Sequence, residues 1–513
     1  MNLFSIAIRS IRQRGLASIL TCFSMALGVT LMVAVIAIHG VVNESFKVGQ
    51  YLGYNILVGP KGGKLQLTLN SVYYLDEPIE NIPYEYYLEF KRQAEREGDY
   101  RHSLRQHAHD LHWELTRAAQ QTMGVGVSSG TAGMVTRLAT RVVEEDSEEN
   151  LPGKRDGQFG QFTLLAIPLL LGDYYESFRV VGTTPDMFGA MKFGPSADRQ
   201  YLFSAGRNFK VHSRENGFFE AVVGSVVARQ TNLKVGDKIN PRHGAVDGHT
   251  HNQPFTVVGI LDSTGTPNDR AVFVNMEGFY LMADHAKPVE ETASEEETEE
   301  GEEDPEHQES EQDPFDTVTP LPLEQREVTA ILLRVEALFS VGMPNLVNEG
   351  PVAQAIYPIR EINKFFGTFI GPVLGLLVVI TLMICIVSGV GILVSIYNSM
   401  SDRRQEIAVL RALGAERSTV LWIILFESLI LSIGGGLIGW TLGHGLVALA
   451  SPIVEAKTGV VVGFFDLAPA LPPYLPVSPE LLLIPLLAIL AIAVGLIPAI
   501  SAYRTDVSES LGK

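Results

Sequence analysis

The sequence has little cysteine, little basic charge and no nucleotide-binding motif. Only Cys22 and Cys385 occur among 513 residues, which excludes a disulfide framework and a cysteine-based zinc site as organising devices. Lys and Arg number 39 against 58 Asp and Glu, a net charge of −19. This balance argues against a nucleic-acid partner, which requires a basic face. No segment matches GxxxxGK[ST], the loop whose amides hold nucleotide phosphates, so we expect no nucleotide site in this sequence.

The acidic charge is concentrated in one segment. Residues 289–314 contain Asp and Glu throughout and no Lys or Arg. Such a segment cannot bury enough apolar surface to fold. We therefore predict that residues 285–316 are a disordered insert; a cation-buffering role for the same residues is the alternative.

Four long apolar runs stand out. They cover residues 15–43, 365–401, 418–456 and 481–503, and Glu427 is the one acid that interrupts the third before its end. Each exceeds the ~20 apolar residues that cross a hydrocarbon core. Because a helix satisfies all of its own backbone hydrogen bonds in lipid, the runs predict four transmembrane helices.

The positions of the basic residues predict the orientation of these helices. Arg9, Arg12 and Arg14 precede the first run, four arginines lie between the second and third, and Arg504 and Lys513 follow the fourth. Basic loops stay on the cytoplasmic side. Both termini are therefore expected in the cytoplasm and the intervening residues 44–364 outside it, in a multi-pass protein of the cell (inner) membrane.

The outer region has the pattern of a mixed domain. Short β-branched runs at 178–184, 255–261 and 271–276 are bounded by Gly, Pro, Asp and Asn, which is typical of strands. Residues 65–76 also look strand-like, whereas residues 221–233 are typical of a helix. The predicted fold class is a membrane protein with four transmembrane α-helices and a large α+β extracytoplasmic domain inserted between helices 1 and 2.

The second apolar run is longer than one bilayer crossing requires, so its outer end is expected to continue as a stalk. Two parts of the outer region are interpreted as inserts, 91–163 and 285–316. The predicted organisation is a cytoplasmic amphipathic helix 1–14, transmembrane helix 1 at 15–43, the outer domain 44–364, stalk and helix 2 at 365–400, a cytoplasmic helix 401–418, helix 3 at 419–450, an outer loop 451–480, helix 4 at 481–503 and a cytoplasmic tail 504–513.

The segment 401–418, SDRRQEIAVLRALGAERS, is an amphipathic helix by pattern. Ile407, Leu410 and Leu413 fall on one stripe, and Gly414 is suited to end the helix. Its arginines lie off the stripe. A charged helix with one apolar stripe predicts docking on a cytoplasmic protein; lying on the lipid surface is the alternative.

The third transmembrane helix carries two unusual features. Glu427 is an acid in an apolar helix, which costs at least ~2.5 kcal/mol unless it reaches the interface or a partner. We interpret it as one partner of a structural or coupling ion pair, with a proton or substrate site as the alternative. Gly435, Gly439 and Gly443 recur every four residues, a spacing that lets helices approach closely in lipid; generic glycine use is the alternative.

Histidines form two weak groups in the outer region. If residues 102–112 are helical, His102, His109 and His112 share a face that could bind zinc or copper. Interleaved charges make an ordinary solvated helix the preferred interpretation, so no metal site is predicted. A second group in a loop holds His243, His249 and His251.

Several segments resemble a known family. Residues 403–443 look like the core of the FtsX/MacB/LolC-type permeases, the type VII ABC transporter membrane subunits, and residues 497–511 are similar to the closing segment of that family. Residues 220–239 and 255–280 resemble the MacB-like periplasmic core domain. These segments occur in the order found in the family.

The resemblance implies a permease, dimeric or pseudo-dimeric, whose 401–418 helix docks on a separate cytoplasmic ABC ATPase. ATP would be bound by that partner, so the chain itself would be no enzyme and would need no cofactor. Movement would pass to the outer domain by mechanotransmission. The implied coupling residues are Glu406, Ile407, Leu410, Arg411 and Gly414, with Asp402, Arg403, Arg404 and Leu413 from the same segment.

The implied task is export or extraction of a lipoprotein, a peptide or a hydrophobic small molecule, with membrane lipid and a periplasmic adaptor or effector as further partners. An FtsX-like signalling subunit that activates a cell-wall hydrolase is one alternative. A metal-responsive outer receptor is another. The inserts 91–163 and 285–316 depart from the family pattern.

Overall fold

A computed structural model describes most of the chain in two compact units, Met1–Phe46 with Phe365–Lys513 (the transmembrane unit) and Lys47–Lys364 (the sheet unit). The acidic residues 285–316 and the greater part of 91–163 lie outside the described residues. The described residues are 3–13, 15–47, 52–75, 77–78, 80–104, 106–107, 114, 152–194, 198–244, 250–282, 320–402, 414–458, 463–465 and 478–504.

The helices range from single turns to spans of more than forty residues. They are α1 Leu3–Gln13, α2 Gly15–Lys47, α3 Lys64–Tyr73, α4 Tyr84–Leu88, α5 Gln93–Tyr100, α6 Asp186–Gly189, α7 Ser225–Thr231, α8 Met276–Tyr280, α9 Ala337–Ser340, α10 Met343–Glu349, α11 Pro358–Phe365, α12 Gly371–Asp402, α13 Arg417–Thr458 and α14 Leu483–Arg504. A π-helical turn, Phe366–Ile370, joins α11 to α12.

The strands are short apart from one. They are β1 Ile56–Pro60, β2 Ile82–Pro83, β3 Thr163–Tyr175, β4 Phe178–Thr183, β5 Lys192–Phe193, β6 Arg199–Gln200, β7 Phe203–Gly206, β8 Glu220–Val223, β9 Lys238–Ile239, β10 Arg242–His243, β11 Phe255–Leu261, β12 Ala271–Asn275, β13 Glu327–Val328, β14 Ala330–Val335 and β15 Ala353–Ile356.

Four helical segments of the described chain are long and apolar enough to cross a membrane. They are Gly15–Gly40, Pro358–Asn398, Ser418–Val454 and Glu480–Ile500. Large apolar side chains on them face outward; Leu16 is 86% exposed and Leu449 is 77% exposed. Apolar side chains so placed fit contact with lipid tails, and the chain is a membrane protein.

One eleven-stranded mixed sheet organises the sheet unit. Its strand order is β15-β1-β14-β3-β4-β12-β8-β11-β7, with β10 paired to β3 and β9 to β11. Two pairs are parallel, β4 with β12 and β8 with β11. The thirteen-residue β3 pairs with β14 along its first part and with β4 along its last, so it connects the two parts of the sheet.

Both faces of this sheet are buried. Val272 and Val274 of β12 pack into the apolar cluster on one face, whereas Phe273 of the same strand packs into the cluster on the other. Successive side chains of a strand point to opposite faces, so a strand covered on both sides is apolar at every position. This is why β1, β8 and β12 are almost continuous apolar runs rather than alternating ones.

Two segments differ from their predicted secondary structure. The strand-like residues 65–76 belong mainly to α3, because Leu67 and Val72 bury one helical face and Tyr74, with a φ of 57°, ends the helix. The helix expected at 221–233 begins only at Ser225. The residues before it form β8, which is buried between β11 and β12 and therefore takes the backbone of its neighbours.

Candidate coupling site

The segment predicted to lie in the cytoplasm and to couple to an ATPase lies between two candidate membrane helices. Asp402 ends α12 and Arg417 begins α13. Gly414 has a φ of +98°, a left-handed backbone that glycine adopts without steric cost. The remaining candidates lie outside the described residues; they are Arg403, Arg404, Glu406, Ile407, Leu410, Arg411 and Leu413.

Glu427 lies at a contact between α13 and the amphipathic helix α1. Its side chain is 4% exposed, and the Ser10 hydroxyl donates a hydrogen bond of 3.1 Å to its Oε2. Ser10 is itself buried, as is Ala7 one turn earlier. The N-terminal helix therefore supplies a polar partner to the acid that the third membrane helix carries, which the sequence by itself did not indicate.

The three regularly spaced glycines of α13 face α2. A Cβ atom placed on Gly435, Gly439 or Gly443 would lie less than 3.0 Å from an atom of α2. The Thr30 hydroxyl of α2 donates a hydrogen bond of 3.1 Å to the Gly439 carbonyl and one of 2.8 Å to the Ala26 carbonyl. The two backbones thus meet directly, and a side chain at any of these glycines would force them apart.

The same helix, α13, packs on α14 in a similar way. The Ser432 hydroxyl donates to the Leu487 carbonyl at 3.3 Å. A Cβ on Gly436 would overlap the Leu487 side chain, and one on Gly495 would overlap the Ser428 side chain. Sequence reasoning missed this second seam, because Gly436 lies outside the four-residue repeat and Gly495 is a single glycine in an apolar run.

A buried histidine–carboxylate pair joins α13 to the turn that precedes α14. The His444 Nε2 and the Glu480 Oε2 are 3.0 Å apart, and the two side chains are only 2% and 1% exposed. The Trp440 ring lies 4.4 Å from the His444 ring. The sequence did not indicate this pair, because His444 lies within the third apolar run and Glu480 lies just before the fourth.

An apolar cavity of about 290 Å³ opens beside this pair. Val29 of α2, Trp440 of α13 and Leu487 of α14 contribute to its lining, and Glu480 is its one acidic lining residue. The ionisable Glu480 side chain of the transmembrane unit therefore borders this cavity.

The described residues of the two predicted histidine groups belong to the sheet unit. His102 lies in the turn after α5, where desolvation and then the positive charge of Arg326 lower its pKa; His109 and His112 lie outside the described residues. Of the second group, His249 is likewise outside them. His243 and His251 are described and lie next to each other beside a buried carboxylate, Asp173.

A buried glutamate at the start of the segment that resembles the MacB-like core pairs with a half-exposed arginine, Arg207. The Arg207 guanidinium donates two hydrogen bonds to the Glu220 carboxylate, at 2.6 and 2.8 Å, and the Lys210 amide donates a third at 2.9 Å. Burial would raise the pKa of Glu220, but the hydrogen bonds from Arg207 and Lys210 outweigh it and lower the pKa to about 2. A carboxylate held in this way stays ionised.

Comparison with known proteins assigns the C-terminal part of the chain. Residues 365–507 match the model of the FtsX-like permease C-terminal family. They include α12, α13 and α14 with the segment between α12 and α13. The resemblance expected from residues 403–443 is confirmed by this match.

Curated relatives agree with that assignment. The chain is 30% identical over 140 residues to the macrolide export ATP-binding/permease protein MacB of Rhodopirellula baltica, covering 27% of this chain and 19% of that protein. It is 33% identical over 95 residues to the uncharacterized ABC transporter permease YknZ of Bacillus subtilis (18% and 22%). It is 31% identical over 154 residues to the ABC transporter permease YtrF of the same organism (29% and 34%). Each match spans about a third or less of the relative.

Proposed function

Because the chain is a permease of the FtsX and MacB type, with an FtsX-like domain at residues 365–507, we propose that it is a membrane subunit that couples ATP hydrolysis by a separate cytoplasmic ATPase to movement of its sheet unit. The family match on a domain built from apolar helices carries this proposal. The chain itself would be non-catalytic, since ATP would be bound by the partner.

The proposed topology follows from the basic residues. Arg9, Arg12 and the arginines of 403–417 would stay in the cytoplasm, by the tendency of basic loops to remain there. Lys47–Lys364 would then be an extracytoplasmic domain inserted between the first two spans, in the cell (inner) membrane. The proposed homodimer or pseudo-dimer, the outer adaptor and contacts with lipid belong to the same hypothesis.

The segment 401–418 is the proposed contact with the ATPase. Its two ends are fixed to membrane helices, Asp402 to α12 and Arg417 to α13. A displacement of this segment would therefore act on both helices. Leu410 is the centre of its predicted apolar stripe, and burying that stripe in a groove of the ATPase would supply the docking energy.

Continuity of the second span supports transmission of movement. Helical backbone continues from Pro358 to Asp402 through the π-helical turn Phe366–Ile370. A helix is stiff along its axis, and π-turns are sites at which helices bend. We propose that this helix carries displacement outward for the export or extraction of a lipoprotein, a peptide or a hydrophobic small molecule.

The proposed ATPase contact can be tested by a charge placed on the stripe. The affinity-tagged chain is purified from its own cells in detergent, and the ATP hydrolysis that copurifies with it is measured. Leu410→Asp would bury an unpaired charge at the contact, so we expect about a tenfold or larger loss of copurifying activity, equivalent to about 1.4 kcal/mol or more.

The matched control is Gln405→Asp, which adds the same charge away from the predicted stripe and is expected to keep the activity near the wild-type level. Equal losses in the two variants, or copurifying activity that Leu410→Asp leaves unchanged, would contradict the assignment of 401–418 as the ATPase contact.

A further inference from the structure

Three potential metal ligands lie close together near the C-terminal end of β3. Asp173, His243 and His251 each place one ligand atom within 4.8 Å of the others. The Asp173 Oδ1 lies 3.1 Å from the His243 Nδ1, and its Oδ2 lies 3.4 Å from the His251 Nε2. The carboxylate is thus shared between two imidazoles.

The backbone holds these residues in place. β10 pairs with β3 so that His243 is opposite Asp173. The chain then returns beside β10, where Thr250 bridges Arg242 and the His251 amide donates to the Pro241 carbonyl at 3.0 Å. The three side chains therefore come from β3, from β10 and from the residues that lie beside β10, all held by main-chain pairing.

The spacing suits a small divalent metal. Ligand atoms at about 2.0–2.2 Å from a tetrahedral zinc ion are about 3.3 Å apart, close to the two separations that the carboxylate oxygens make with the imidazoles. Neutral imidazole with a carboxylate is a ligand set that zinc and copper accept. The two histidine nitrogens lie within 4.8 Å of each other and would have to reach the same separation in a metal complex.

Burial adds a reason for a cation at this position. The Asp173 side chain is fully buried and that of His251 is 7% exposed, whereas that of His243 is 61% exposed. A divalent cation would add positive charge next to this buried carboxylate. His243 is exposed, so the three residues can be reached from solvent.

We propose that Asp173, His243 and His251 form a binding site for a divalent transition metal, with zinc as the expected ion. The competing explanation for the same geometry is a pair of protonated histidines around a carboxylate, which would need no metal. The proposal does not depend on the chain being a permease, since it rests only on residues of the sheet unit.

The test uses the full chain in detergent, stripped with a chelator that is then removed, and titrated with zinc chloride by calorimetry. The wild type is expected to bind zinc at a site that His243→Gln weakens by about 10-fold or more, a loss typical of a damaged metal site. His243 is exposed, so this variant is expected to fold. His212→Gln replaces another exposed histidine of the sheet unit and is the matched control, expected to bind as the wild type does.

His102→Gln separates this site from the other histidine group and is expected to leave the same binding in place. Zinc binding that His243→Gln does not weaken, or that His102→Gln or His212→Gln weakens equally, would overturn the proposal, as would the absence of zinc binding in the wild type.

A second readout detects coordination rather than affinity. Cobalt(II) added in place of zinc is expected to give the intense visible absorption of a tetrahedral complex in the wild type and in His212→Gln, and to lose it in His243→Gln and His251→Ala. The protonated-histidine explanation predicts no such band, and its absence in the wild type would overturn the proposal even if zinc adhered elsewhere.

Discussion

The two units of the molecule differ in which residues form their contacts and in which face outward, although both bury apolar side chains. In the sheet unit, strands such as β12 are buried at every position and apolar side chains fill both sides. In the transmembrane unit, large apolar side chains such as those of Leu16 and Leu449 face outward, while the helix contacts contain glycine, serine and threonine. In lipid, burying a leucine between helices gains no free energy from the hydrophobic effect. Close backbone packing and hydrogen bonds between helices therefore contribute more to the contacts of the transmembrane unit.

Two buried carboxylates, one in each unit, also have different partners. Glu220 in the sheet unit is surrounded by donors from Arg207, Lys210 and Asn216. Glu480 in the transmembrane unit lies 3.0 Å from the His444 imidazole, beside an apolar cavity. Both carboxylates thus have a side-chain partner, and Glu220 also accepts a hydrogen bond from a backbone amide.

The largest effect is expected from a side chain at the glycine seam. Gly439→Leu would place carbon atoms where the α2 backbone lies, and no flexible side chain can give way there. We expect little folded full-length chain to be recovered in detergent, because forcing the two backbones apart costs about 4 kcal/mol or more, above the range of ordinary overpacking.

Gly445→Leu on the same helix is the control, because nothing lies within 4 Å of a Cβ at that position. Size-exclusion chromatography measures both variants. If the two lost folded protein to the same degree, the glycine seam would not be the cause.

The second largest effect is expected from separating the buried histidine and carboxylate. His444→Leu leaves the Glu480 carboxylate without the imidazole at 3.0 Å, which for a buried pair costs about 3 kcal/mol. We expect a clear drop in the thermal unfolding temperature of the detergent-solubilised chain. The double variant His444→Leu with Glu480→Leu removes both polar groups and is expected to recover most of the loss; a double variant less stable than the single one would refute the pairing.

The smallest of these effects is a pH dependence confined to the sheet unit. The pKa of Glu220 is about 2, below its ordinary value of 4.5, so its stabilising contribution is present above about pH 4.5 and is lost as pH falls toward 2. Glu220→Gln is expected to lower the free energy of unfolding at pH 7 by about 1 kcal/mol, because solvent screens the half-exposed Arg207 partner. It should also flatten the decline of stability between pH 5 and about pH 2.

Circular dichroism of the sheet signal follows this unfolding, with the exposed Glu349→Gln as control. A wild type whose stability did not change between pH 5 and 2, or a variant with the same decline as the wild type, would be inconsistent with a depressed pKa at Glu220.

Family and membrane helices could be inferred before any coordinates, and particular residues show why. The apolar runs at 15–43 and 481–503 are long enough to have one interpretation. Residues 403–443 resemble a permease family, and comparison confirmed that resemblance. The interpretation failed for 65–76 because alternating leucines fit a strand as well as one face of a short helix. Only contact with the sheet decides between the two.

The sequence by itself therefore determined which segments are apolar enough for lipid, where basic charge lies and which family the C-terminal part resembles, because these depend on composition and local order. Tertiary structure alone decided that Ser10 meets Glu427, that His444 meets Glu480 and that Asp173 lies between His243 and His251. Ser10 and Glu427 are 417 positions apart in the chain, and even His243 and His251 are 8 apart. No local pattern encodes such distances, since they arise only when the helices and strands pack.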